Sequence, residues 1–224
     1  MAIGSENRIG VLASGSGTTF EAARLADLSG AMDATIAFVV CNNPGAGIWE
    51  RADKLGLGKH IYLINNNDPF KDEVEPPKGV ITVAASTEIL RLAMEVYDVK
   101  MLFALGYMKR VVKPALGGLV IANWHPGPLP ATANTIGEDA SKKALELGLS
   151  HGGPTAHFMD PEESEDGLPP YDGGMIIGHA PVEITDAHRH EYETTGRATL
   201  LFADVQVAEK AHTPEWIDQA VRQI

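Results

Sequence analysis

The chain predicts an α/β fold of the doubly wound kind, a mostly parallel sheet with helices on both faces. Short β-branched apolar runs alternate with stretches of helical periodicity, the pattern of parallel crossover units. Several of those runs, such as Phe38-Val39-Val40 and Leu119-Val120-Ile121-Ala122, are apolar at every position, as in strands covered on both sides. The junctions between runs carry Gly, Asn-Pro-Gly or multiple prolines, which break regular structure and mark turns.

Residues 8–13 read as the first strand, and Ser14-Gly15-Ser16-Gly17-Thr18-Thr19 as a tight loop opening a helix over about 20–28. A second strand at 34–41 ends in the turn Asn42-Asn43-Pro44-Gly45. A helix near 48–55, a short strand at 61–64 and a polar loop at 65–79 follow. Residues 86–97 then read as a helix, 101–105 as a strand and 119–122 as a further strand running into Asn123 and His125. Beyond the prolines, the pattern predicts a helix over 138–147 stopped by Gly148, a strand at 154–159 and another at 174–184. The acidic, proline-rich stretch between those strands, 160–171, reads as an exposed loop. Two C-terminal helices, near 196–211 and 214–223, close the chain, the second opening on Pro214.

A chain of 224 residues that is 44% apolar can bury a core as one domain or as two closely packed lobes. No repeat or linker divides it, so residues 1–224 are expected to form a single domain. The formal charge of -12 repels phosphodiester backbones and no Lys/Arg cluster offsets it, so nucleic acid is not an expected partner. A small phosphorylated ligand remains compatible, because oriented backbone amides hold a phosphate without net positive charge. No apolar run approaches the roughly 20 residues of a membrane span, and the first ten residues lack a signal-peptide pattern, which makes the cytoplasm the default expectation. Cys41 is the only cysteine, excluding an internal disulfide and a thiolate zinc cluster; after an apolar run it reads as a buried inert thiol.

Chemistry concentrates in Asn123-Trp124-His125-Pro126-Gly127-Pro128-Leu129-Pro130. Alternate strand residues share a face, so Asn123 and His125 project together while Trp124 points away. The prolines force the chain out of the sheet, leaving an amide and an imidazole at its carboxyl edge, where open α/β folds bind ligands. An isolated Asn-x-His is more often a turn cap beside a structural histidine, so neighbouring motifs decide. The Ser14–Thr19 loop lacks the lysine of a triphosphate loop, and Phe20 stands where a dinucleotide fingerprint has its third glycine. It reads equally as a single-phosphate cradle or a flexible turn. Asp172-Gly173-Gly174 taken alone is a turn. His188-Arg189-His190 invites a metal reading, but without a carboxylate or cysteine at ligand spacing these read as solvated surface histidines.

The order of Ser-Gly-x-Gly after a strand, Asn-x-His-Pro-x-x-Leu-Pro after another, His157-Phe158 within Gly152–Phe158, and then Asp-Gly-Gly resembles the folate-dependent formyltransferases, and among them the glycinamide ribonucleotide transformylases of purine synthesis. The segment Phe103-Ala104-Leu105-Gly106-Tyr107-Met108-Lys109 belongs to the same resemblance. It implies the Rossmann-like formyltransferase fold, with a phosphate-binding half at 8–118 and a catalytic, folate-binding half at 119–224. It implies catalytic Asn123, His125 and Asp172, and a substrate phosphate on Gly15, Ser16, Gly17, Thr18 and Thr19. It implies folate on Met108, Lys109, Arg110, Val111, Val112 and Tyr171. The implied co-substrate is 10-formyltetrahydrofolate, with no metal, and the implied partners are small molecules, a phosphorylated ribose amine and folate.

Gly127-Pro128 stand where the family has Ser-Leu, Lys109-Arg110 where it has one arginine, and the 160–171 loop is longer than its counterpart. For the family's late glutamate that touches the amine substrate, the candidates are Glu191 and Glu193. Other readings are transfer to another amine such as an amino sugar nucleotide, hydrolysis of formyltetrahydrofolate, or a non-catalytic Rossmann-like binding protein.

Overall fold

The structure, a computed structural model, describes residues 7–65, 81–109, 118–159 and 172–224. Arg8–Ala13 (β1) lies at its centre because it is apolar on both faces. Ile9, Val11 and Ala13 pack into one core, while Leu12 packs into the other. Gly10 admits the closest approach: a Cβ there would sit 2.6 Å from Phe38 and Leu102 atoms of the neighbouring strands.

Those neighbours are Thr35–Cys41 (β2) and Met101–Ala104 (β4), both parallel to β1. Ile61–Leu63 (β3) extends the sheet beyond β2, and Val120–His125 (β5) extends it beyond β4, again in parallel. Thr155–Phe158 (β7) and Ile176–His179 (β8) complete the edge as antiparallel strands. The resulting seven-stranded order, β3-β2-β1-β4-β5-β7-β8, reverses direction of growth between β1 and β4. That reversal opens a crevice at the strands' carboxyl ends.

Helices cover both faces, as the sequence predicts. Thr18–Ser29 (α1) and Ile48–Lys54 (α2) bury Phe20, Ala23, Ile48 and Ala52 against one face. Val83–Arg91 (α3) buries Ala85 and Ile89 against the other. Phe38 and Phe103 are fully buried on opposite sides of the sheet, each contributing on the order of 2–3 kcal/mol by area. Cys41 is buried and free, and burial pushes its thiol above the ordinary value, as expected of an inert thiol.

Several boundaries differ from the sequence reading, each for a local reason. α3 starts earlier than expected because Thr82 caps it, its side chain accepting from the Ala85 amide, and a π-helical turn at Leu92–Val96 replaces the expected α-helical end. Residues 174–184 form two strands: Pro181 interrupts the ladder, and Val182–Glu183 (β9) pairs instead with His151–Gly152 (β6) in a separate antiparallel ribbon. Glu138–Glu146 (α4) forms where expected. Asp186–Thr195 (α5) is an additional helix, nucleated by a capping box in which Thr185 accepts from the His188 amide and His188 Nδ1 accepts from the Thr185 amide. His188 is therefore a buried structural residue, 3.2 Å from Asp204, and not a solvated one; His190 is exposed.

The two expected C-terminal helices are one, Thr199–Val221 (α6), which carries Pro214 inside it. Proline removes one helical hydrogen bond there. The adjacent carbonyls are engaged by side chains, Thr213 Oγ1 donating to Glu209 O at 2.7 Å and His212 Nδ1 lying 2.9 Å from Ala208 O. Burial on both sides of Pro214 holds the helix together, with Leu201 and Val205 in a satellite core shared with α4 and Trp216, Ile217 and Ala220 in the main core. The stretches expected as loops, 65–79 and 160–171, lie outside the described residues except for Asn65.

Candidate active site

A cavity of about 420 Å³ opens where β1, β4 and β5 end. Its first wall is Gly15–Thr19. Gly17 is the N-cap of α1, in the left-handed region at φ 77, and no side chain caps the helix. The first-turn amides are thus left for a ligand, at the positive end of the helix dipole. The loop is braced from behind: Arg51 Nε donates to Ser16 O at 2.9 Å and its guanidinium pairs with Glu21, while a Cβ on Gly17 would lie 2.8 Å from Ile48. Ser14 Oγ accepts from the Met108 amide at 2.8 Å, tying this loop to the segment after β4.

The opposite wall is built from side chains. β5 carries Asn123 and His125 on one face, while Trp124 packs edge-on against Phe103 and Trp216 and donates to Thr213 Oγ1 at 2.8 Å. His125 is 2% exposed, with Nδ1 3.1 Å from Asp172 Oδ1. Asp172 Oδ2 accepts from the Asn134 amide at 2.6 Å. Burial alone would raise Asp172; the His125 hydrogen bond and charge, the Asn134 amide and His157 outweigh it and hold the carboxyl below its ordinary value.

His157, opposite Asn123 on β7, is fully buried. Burial depresses its basicity, against the raising effect of the carbonyls of Phe158 and Gly173, each 2.9 Å from Nδ1. With the Nδ1 proton directed at those carbonyls, Nε2 is left as an acceptor 3.4 Å from Asn123 Nδ2. That contact orients the Asn123 amide and leaves its second N–H for the cavity. A fixed N–H, an imidazole and a carboxylate converge here, able to stabilise an oxyanion and move a proton.

Asn123, His125, Asp172 and all five residues Gly15 to Thr19 line this one cavity, and Met108 joins them. Lys109 is not in its wall, and Arg110, Val111, Val112 and Tyr171 lie outside the described residues. Neither Glu191 nor Glu193 reaches the cavity; Glu191 accepts from the Leu200 amide at 2.9 Å. The residues that do reach it from the late helix are Phe202, Gln206 and Glu209. Glu209 accepts from Thr19 Oγ1 at 2.6 Å, and desolvation raises its carboxyl above the ordinary value despite Thr19 and Lys210. A sequence signal for it exists: Leu201, Val205, Glu209 and Thr213 are spaced four apart, so Glu209 is a carboxylate in a buried helical stripe. The helix expected over 196–211 carries three of these positions, and only Thr213 falls past its expected end. Among the described residues no Lys or Arg side chain lines the cavity.

A family model described as formyl transferase matches residues 7–200. A phosphoribosylglycinamide formyltransferase of Bacillus subtilis is 29% identical over 184 residues, covering 80% of this chain and 80% of that protein. One from Haemophilus influenzae is 29% identical over 181 residues, 79% of this chain and 73% of the other. Among solved structures, glycinamide ribonucleotide transformylase 1 from Symbiobacterium toebii matches with a TM-score of 0.72 at 26% identity, over 98% of this chain and 90% of that one. With the seven-stranded sheet and the crevice at its switch point, these likenesses agree: the chain belongs to the formyl transferase family.

Proposed function

We propose that this enzyme transfers the formyl group of 10-formyltetrahydrofolate to the primary amine of glycinamide ribonucleotide, a step of purine synthesis. The observation that carries the reading is the convergence of the uncapped α1 amides and the Asn123, His125 and Asp172 side chains on one cavity. The amide end suits the ribose phosphate. The side-chain end suits the reacting carbon, and the relatives' names agree with both.

In this account the amine lone pair attacks the formyl carbon and the carbonyl π pair moves to oxygen. The free N–H of Asn123 hydrogen-bonds the resulting oxyanion, a donor worth on the order of 100-fold in rate, and the His125 imidazole beside it serves the proton transfer. Asp172 holds the His125 ring in place through the Nδ1 contact. The attacking nitrogen loses one proton through this pair, the folate N10 gains one, and the carbon–N10 bond breaks with its electrons on N10. The products are the formamide and tetrahydrofolate. Glu209, beside Thr19, is the residue placed to meet the ribonucleotide from the late helix.

The test is incubation of the purified protein with 10-formyltetrahydrofolate, with and without glycinamide ribonucleotide, following the deformylated folate. Amine-dependent release is expected. Release without the amine identifies a hydrolase, and folate binding without release on adding this amine contradicts the proposed acceptor.

A further inference from the structure

Thr132 sits in the loop between β5 and α4 with no solvent exposure. Its Oγ1 lies 2.9 Å from His125 Nε2 and 3.2 Å from the Pro128 carbonyl. With its single proton donated to the Pro128 carbonyl, the hydroxyl presents an oxygen lone pair to the ring, the arrangement that goes with a proton on Nε2. The loop is pinned in this shape by the Thr132 amide, 3.1 Å from the same carbonyl, and by Thr155 Oγ1, which donates to Gly127 O at 2.8 Å.

Gly127 is what admits the threonine. A Cβ at position 127 would overlap Thr132 Oγ1 and lie 3.0 Å from Thr132 Cβ and 3.1 Å from Ala140 Cβ. None of these atoms is the free end of a flexible chain, so a larger residue at 127 must push Thr132 off the ring. The departure at Gly127-Pro128 thus acquires a purpose: one residue leaves the space, and the next supplies the carbonyl.

We propose that Thr132 is a positioning residue for His125: it keeps a proton on Nε2, so that Nδ1, beside Asp172, is the nitrogen that gives and takes a proton during the reaction. The other ionisable groups near the ring are His157 on β7, with Nε2 3.9 Å from Asp172, and Glu209 across the cavity on α6. The kinetic consequence rests on the formyl-transfer reading; the hydrogen bond itself does not.

Two readouts test it on the full chain. In histidine-ring nitrogen–proton spectra of the free protein, His125 should show an exchange-protected Nε2 proton that Thr132→Val loses and Thr132→Ser keeps. In turnover, Thr132→Val should lower kcat about tenfold, the rate equivalent of one ordinary hydrogen bond, with KM for both substrates little changed. Thr132→Ser should restore most of it, and Gly127→Ser should mimic the valine variant. A protected proton that survives Thr132→Val, or a serine variant as impaired as the valine one, overturns the proposal. A wild-type protein without turnover overturns the formyl-transfer reading, while the ring spectrum still decides whether Thr132 holds the proton.

Discussion

At the α1 end of the cavity the groups facing a ligand are backbone amides, set by Gly17 in the left-handed region and braced by Arg51 and Ile48. At the β5 end they are side chains, Asn123, His125 and Asp172, each fixed by a partner: buried His157, buried Thr132 and the Asn134 amide. Substitutions therefore act differently at the two ends. The backbone end depends on conformation, so its glycine matters more than its side chains. The side-chain end depends on chemical identity, and its supporting residues matter because they fix proton positions. Loss at the first end should appear in binding and loss at the second in turnover.

The largest break comes at the side-chain end. His125→Ala should lower kcat on the order of 100-fold or more while leaving folate affinity within a few-fold, measured by steady-state kinetics and equilibrium titration. An active variant removes the imidazole from the chemistry. Gly17→Val should do the converse, raising KM for the ribonucleotide about tenfold or more with a smaller change in kcat, because a branched residue is strained at φ 77 and meets Ile48. A defect confined to kcat would dissolve the distinction between the two ends.

Two smaller effects sharpen it. Glu209 is raised in the folded state, so its charged form costs stability once the pH exceeds the ordinary carboxylate value. Glu209→Gln should melt higher than wild type at neutral pH, with the difference shrinking at acidic pH, and should bind the ribonucleotide several-fold more weakly. His157 is depressed below its ordinary value of 6.5. Its neutral form is favoured by folding, so that stabilisation is present above pH 6.5 and is lost as the pH falls through that value toward the folded one. Urea midpoints at pH 7.5 and 5.5 should differ less in His157→Gln than in wild type. His179, also depressed by burial, keeps part of the slope.

The parallel half was legible because each strand announces itself as a short apolar run: β1, β2, β3 and β4 fall within a residue or so of their expected bounds. The Asn123 and His125 pairing on β5 was legible from the same alternation. Asp172 became meaningful only through its order after the other motifs, since a turn Asp carries no periodicity. What stayed hidden was written in long-range contacts. α5 has a polar sequence and starts at a histidine capping box, and α6 keeps its course through Pro214 because both of its halves are buried. Thr132 had no local signature and Glu209 only its place in a four-residue stripe, as their roles depend on His125 and Thr19, folded-back or distant partners.

The measurement that bears most directly on the two-ended account is turnover with the phosphate removed from the acceptor, comparing glycinamide ribonucleotide with glycinamide riboside in wild type and Gly17→Val. Wild type should lose affinity for the riboside with little change in kcat, and Gly17→Val should discriminate poorly between the two acceptors. Equal discrimination by both proteins, or a kcat loss on removing the phosphate that matches the KM loss, would contradict it.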